Sequence, residues 1–282
     1  MLAWNTNCDL QETIPDMTEV QDPSSGDVTH DAFLGGRVYV YQPKKGRHRA
    51  GLDAVFLAAA LPVETTGRIV DLGSGVGTAG FCAAARLPDI SVTLVEIDEA
   101  VLSLAQKALQ DPENTHFADR IDLLHADITA KGSLRHANGL LPTMADHAIM
   151  NPPYYEADRF RASPKSGRAG AHMLDERGLE PWVKTAADIV REGGSLTVIF
   201  RADGLHELLS VLQGRFGAID VIPLRPRPDA PATRIVLRAI RASKAPLKLL
   251  PGFVLHESEG SDFTSQSKNI MRGGQGLGLT PR

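Results

Sequence analysis

Arg68-Ile69-Val70-Asp71-Leu72-Gly73-Ser74-Gly75-Val76-Gly77 is the stretch that decides the fold. A short apolar run rich in β-branched residues reads as a buried strand, and the glycine-rich turn after it leads straight into a helix over 78–86. Glycines between a strand and a helix let the backbone approach a ligand where any side chain would collide. The spacing is D-x-G-x-G-x-G, unlike the G-x-G-x-x-G of dinucleotide binders. Taken alone, the loop suits a tight βα turn as well as a binding site.

Working outward, the same alternation repeats. Residues 92–95 form a second strand, ending in Glu96-Ile97-Asp98, and a helix follows over 99–110. An acid at the second strand tip is placed to accept hydrogen bonds from both hydroxyls of a ribose. Glu96 is the better candidate, because Asp98 is explained as the N-cap of the next helix. A third strand over 121–124 leads to Asp127, which either receives an adenine amino group or is a plain loop acid. A fourth, over 146–150, delivers Asn151-Pro152-Pro153-Tyr154. That stiff turn of neutral groups holds no acid, thiol or histidine, and suits gripping a planar amide or aromatic amine better than hydrolysis.

Further on, a helix over 179–191, ended by Gly193-Gly194, precedes a strand over 195–200. A helix over 204–216 and strands over 218–224 and 234–240 complete the pattern. Residues 132–143 read as loop or irregular helix. Strands alternating with helices of this length predict a doubly wound, Rossmann-like α/β fold with a seven-stranded, mostly parallel sheet. Each candidate group then falls at a carboxyl end of a strand, where open parallel sheets bind ligands.

Ahead of this core, Val38 and Val40 alternate with Tyr39 and Tyr41, and a turn over 43–46 follows, giving a hairpin. Its basic set, Arg37, Lys44, Lys45, Arg47 and Arg49, fits a solvated surface or a phosphate contact equally. A short apolar helix over 54–61 carries Asp53 near its start, as expected for an acid at a helix N-terminus. Residues 1–36 contain seven acids and no Lys or Arg, so the remainder carries a formal charge of +3 against -4 for the whole. The domain reading is therefore a disordered acidic tail over 1–34, a single domain over 35–274 with its hairpin and helix extension over 35–62, and a flexible stretch over 275–282.

Two cysteines, Cys8 and Cys82, make no disulfide framework, and the nine histidines show no ligand spacing, so no metal is expected. Without a signal sequence or a long apolar span, a cytoplasmic protein is expected, as a monomer with a homodimer left open.

The set Asp71-Leu72-Gly73-Ser74-Gly75-Val76-Gly77, Glu96, Asp127 and Asn151-Pro152-Pro153-Tyr154 resembles class I S-adenosylmethionine-dependent methyltransferases of the amino-methylating N-P-P-Y, small-domain type. Over 36–61, with Arg49-Ala50-Gly51-Leu52-Asp53-Ala54, the chain is similar to bacterial tRNA adenine-N6 methyltransferases that modify the adenosine beside the anticodon. The resemblance implies S-adenosylmethionine as donor and S-adenosylhomocysteine as product. It places the glycine loop (Gly73, Ser74, Gly75, Gly77) under the donor's methionine part, with Asp71 ordering the loop. Glu96 would hold the ribose and Asp127 the adenine, with Ile97 and Ile128 as apolar neighbours. Asp53 matches an acid near the methionine end, although Leu52 and Ala54 stand where relatives often have Thr and Gly.

The same resemblance makes Asn151, Pro152, Pro153 and Tyr154 the acceptor-gripping set, with Tyr154 stacked on a base. RNA is the expected partner, tRNA first. It would be contacted through Lys44, Lys45, Arg47 and Arg49, through Arg159, Arg161, Lys165 and Arg168, and through Arg225 and Arg227 of a basic stripe over 225–248. Guanine-N2 methylation of rRNA, glutamine-N5 methylation of a protein, and a non-catalytic donor-binding protein are the alternatives.

Overall fold

The computed structural model describes residues 28–44, 49–153 and 178–280. In chain order the elements are β1 (Val28–Phe33), β2 (Val38–Pro43), α1 (Leu52–Ala59), β3 (Gly67–Leu72), α2 (Thr78–Arg86), β4 (Ile90–Glu96), α3 (Glu99–Leu109), α4 (Thr115–Ala118), β5 (Ile121–His125) and α5 (Gly132–Ala137). They continue as β6 (Ala145–Met150), α6 (Glu180–Ile189), β7 (Val190–Arg201), α7 (Leu205–Leu212), β8 (Phe216–Arg225), β9 (Arg234–Arg241), β10 (Lys248–Leu249), β11 (Phe253–Val254) and α8 (Ser265–Met271).

The main sheet runs β10-β8-β9-β7-β6-β3-β4-β5, with β11 also paired to β8. The seven expected strands are all present, and two strands of only two residues extend the β8 edge, so the sheet has nine. All pairings are parallel except those of β9 with β7 and β8. Successive residues of each strand face opposite sides, as the pleat requires. Ile69, Leu94 and Ile149 join the layer built by α1 and α2, while Val70, Val95 and Met150 join the layer built by α6 and α7.

Several boundaries differ from the sequence reading. The hairpin is β1 with β2, and its turn is Leu34–Arg37, where Gly35 and Gly36 stand at φ 67° and 85°; part of the turn expected over 43–46 lies outside the described residues. The strand over 28–33, expected in the disordered tail, is held because Asp31 accepts hydrogen bonds from Thr29, Gln42 and Arg49 at 2.7–2.8 Å. The rest of that tail lies outside the described residues. Residues 132–137 form the short helix α5, within the stretch over 132–143 expected as loop or irregular helix.

Gly193 and Gly194 do not end a helix. They lie inside β7 where the register against β6 shifts between Ala145 and His147, and a Cβ on Gly194 would come within 2.3 Å of the Asp146 carbonyl oxygen.

The described part of the stretch expected to be flexible, 275–280, is packed. Leu277 donates its N–H to the Ala59 carbonyl at 2.8 Å, Arg238 donates to the Thr280 carbonyl at 2.6 Å, and Leu279 is buried. Its glycines suggested fraying, but Gly276 instead permits close approach to α1: a Cβ there would stand 3.1 Å from the Ala59 oxygen.

Candidate active site

Strand order reverses between β3 and β6, which opens a crevice beyond their carboxyl ends. Leu72 pairs with Met150, so Gly73 and Asn151 leave the sheet side by side. Leu72 also pairs with Val95, and Glu96 with His125, which brings the four strand tips into one row. The sequence placed these groups on one edge, and the register puts them in line.

The glycine loop runs through positive φ at Gly73 (67°), Gly75 (58°) and Gly77 (87°), and Gly77 is the N-cap of α2. A Cβ on Gly73 would meet the Trp182 indole at 2.5 Å, and one on Gly77 would meet Leu94 at 2.6 Å. Gly80, inside α2, would collide with Leu94 at 2.3 Å, so it lets the helix sit close on the sheet. Gly75 differs, since a Cβ there meets nothing within 4 Å. Its outer side is open, and the Ser74 hydroxyl beside it is buried without a hydrogen-bond partner among the described residues. An open glycine cradle beside an unsatisfied hydroxyl is the environment a polar ligand requires.

Asp71 is buried and accepts the Gly80 N–H at 3.0 Å. Burial pushes its carboxyl from the usual 3.8 up to about 7; the Gly80 N–H opposes this, and the nearby negative Glu96 adds to it. Glu96 is tied to the glycine loop. One oxygen accepts the Gly75 N–H at 2.9 Å, and the other accepts those of Ile97 and Asp98, each at 2.9 Å. A carboxylate has about four acceptor sites. To take two ribose hydroxyls, Glu96 must release at least one of these backbone groups.

Asp98 caps α3 through the N–H groups of Ala100 and Val101, as expected. Asp127 accepts the Thr129 N–H and hydroxyl on one oxygen, each at 2.7 Å, and its Oδ2 takes part in neither bond. Ile128 is buried, and Ile97 half-buried, on either side of the same tips. His125 adds a contact the sequence reading missed, a hydrogen bond between its Nε2 and the Ile97 carbonyl at 2.7 Å.

In the turn after β6, Asn151 is half-buried, Pro152 buried and Pro153 exposed. Tyr154 lies outside the described residues, as do Lys45, Arg47, Arg159, Arg161, Lys165 and Arg168. Asp53, in the first turn of α1, forms an ion pair with Arg234 at 3.1 Å, both largely buried. Arg234 opens β9 at the same sheet edge, opposite Arg201 of β7. The pair joins residues 181 positions apart, beyond the reach of any local pattern.

The basic stripe is less available than its composition suggests. Arg225 donates to the Pro228 carbonyl, and Arg227 to those of Glu257, Ser258 and Gly260. Arg241 donates to Ala187 and Arg215 carbonyls, and Arg238 is buried. Arg49 is paired with Asp31 at 2.8 Å, whereas Lys44 is exposed. Among the described residues no cluster of three His, Cys, Asp or Glu is arranged to hold a metal ion, and no helix is long and apolar enough to cross a membrane.

The profile of the methyltransferase small domain matches residues 49–225, a span that contains the carboxyl ends of β3, β4, β5 and β6. The chain belongs to this family. It therefore stands among the S-adenosylmethionine-dependent methyltransferases. A Bacteroides thetaiotaomicron relative, a tRNA1(Val) (adenine(37)-N6)-methyltransferase, is 30% identical over 156 residues, covering 55% of this chain and 60% of the relative. A Bacteroides fragilis relative of the same name is 27% identical over 191 residues, covering 67% and 76%. Among solved structures, a predicted O-methyltransferase from Agrobacterium tumefaciens is 32% identical with a TM-score of 0.69, covering 80% of this chain and 98% of its own.

Proposed function

We propose that this chain transfers a methyl group from S-adenosylmethionine to the exocyclic N6 amine of an adenine in RNA, in tRNA beside the anticodon. The observation that carries the reading is the pairing of Leu72 with Met150, which sets the amine-gripping Asn151 turn against the donor loop at Gly73. The names of the two Bacteroides relatives support tRNA adenine as substrate.

The chemistry asks little beyond positioning. The N6 lone pair is delocalised into the purine ring, so the amine is a poor nucleophile. The Asn151 side-chain oxygen and the Pro152 carbonyl accept hydrogen bonds from its two N–H groups, which raises electron density on nitrogen and aims it, and after the methyl group has moved the nitrogen loses one proton to solvent. Proline rings restrict the turn, so the acceptor oxygens are held before the substrate arrives. When bound, S-adenosylmethionine supplies a methyl group already activated by its sulfonium. Asp71, Glu96 and Asp127 hold the donor, and orientation supplies most of the acceleration. Tyr154 stacks on the base, and the exposed Lys44 contributes a phosphate contact at the hairpin.

Transfer of labelled methyl to unmodified tRNA, rRNA and release factor, side by side and followed by nucleoside analysis, tests this. N6-methyladenosine in tRNA is the expected product. N2-methylguanosine in rRNA, methylglutamine in protein, or an O-methylated nucleoside would each overturn the acceptor assignment.

A further inference from the structure

Helix α6 follows the acceptor turn in sequence, yet two of its side chains serve the donor side of the crevice. Trp182 and Thr185 are three residues apart and share a face of the helix. The far edge of the Trp182 indole lies where a Cβ of Gly73 would be, so this side chain forms the floor of the glycine loop after β3. Thr185 is fully buried and donates its hydroxyl to the Ile128 carbonyl at 2.6 Å, which fixes the loop after β5. A threonine in a helix can instead turn its hydroxyl back to its own preceding turn. Here it reaches across to the loop that carries Asp127.

We infer that Trp182 and Thr185 are positioning residues for the methyl donor, with α6 acting as a brace that fixes the distance between the glycine loop and the Asp127–Ile128 loop. The two loops belong to β3 and β5, separated in the sheet by β4, and α6 touches both from outside the sheet, in addition to the bonds each makes to the β4 tip. The α6 helix is anchored at its start by Glu180, which accepts two hydrogen bonds from Arg215 at 2.6 and 3.5 Å. Removing the Thr185 hydroxyl leaves the Ile128 carbonyl buried and unpaired, which the loop relieves by moving. Removing the Trp182 ring takes the floor from under Gly73, and the positive-φ turn loses its stop.

This inference rests only on the donor half of the proposed function. The test is calorimetric titration of the full chain with S-adenosylmethionine and with S-adenosylhomocysteine, without RNA. Thr185→Val and Trp182→Leu are each expected to weaken both ligands by roughly tenfold, the size of one neutral hydrogen bond or its packing equivalent. Thr185→Ser, which keeps the hydroxyl, is expected to bind within about twofold of the natural chain. Ile189→Ala, in the buried last turn of the same helix, is the control for simple loss of stability. It should melt earlier and bind both ligands normally.

Normal affinity in Thr185→Val and Trp182→Leu, or an equal loss in Ile189→Ala, would overturn the brace. A natural chain that bound neither ligand would overturn the donor reading, and the brace with it. A failure to methylate tRNA alongside the expected affinity pattern would overturn the acceptor assignment alone.

Discussion

The row of acids at the ends of β3, β4 and β5 was read from position in the strands and the basic stripe over 225–248 from charge, and the structure treats them differently. Asp71, Glu96 and Asp127 stand at neighbouring strand ends around an open glycine; Asp71 holds the first turn of α2, and Glu96 and Asp127 each fix a loop beside that opening. The arginines of the stripe are attached to backbone carbonyls or to Asp53. The contrast comes from side-chain reach. A short carboxylate at the end of a strand reaches only the turns immediately beside it and what enters the crevice. A guanidinium on a long flexible stem reaches any unsatisfied carbonyl within its radius and closes it. Position in the sheet is therefore a better guide to a site than local charge density.

The largest effect expected from this contrast lies where the donor row meets the acceptor turn. Asn151→Ala should lower single-turnover methyl transfer by roughly 10³-fold, the range for a lost transition-state contact, while calorimetric donor affinity stays unchanged. Transfer at the natural rate would remove Asn151 from the mechanism. Next, Glu96→Ala should weaken the donor by about 2 kcal/mol, near thirtyfold, because a charged acceptor of hydrogen bonds is lost. Unchanged affinity would mean that Glu96 serves only to order Gly75 and its own turn.

Asp71 gives a smaller, pH-dependent effect. Its carboxyl titrates near 3.8 when the chain is unfolded and at about 7 when folded, so the folded state holds the extra proton between those values. Stability should then fall as pH rises from about 4 to about 7 and level off above, and Asp71→Asn should flatten that part of the profile. Denaturant midpoints across this range provide the measurement, and an unchanged slope in the variant would assign the titration elsewhere.

The smallest effect on substrate is expected in the stripe. Arg227→Ala should change RNA affinity by less than about twofold while lowering stability, since its hydrogen bonds go to the 257–260 segment. A steep loss of RNA binding, with a reduced salt dependence, would return Arg227 to the phosphate-contacting set.

Much of this was legible in the sequence because local pattern and topology agreed. Buried-strand runs ended in Gly73, Glu96, Asp127 and Asn151, and a parallel sheet leaves such residues little choice of edge. What was missed depended on distant parts of the chain. Gly35 and Gly36 look the same in a linker and in a hairpin turn, and only the Asp31 contacts with Gln42 and Arg49 decide between them. Trp182 read as an ordinary helix residue, although a lone Trp on the helix after the acceptor segment was a usable signal. The Asp53–Arg234 pair carries no local signal of any kind.

The strap formed by Leu277–Thr280 has a consequence for synthesis. Helix α1 emerges early from the ribosome with almost every residue destined for burial, yet the groups that close over its far end, Leu277 and Leu279, are among the last described residues to be made. Throughout translation that apolar helix lacks its final cover, and its burial is complete only once the chain has been made through Leu279.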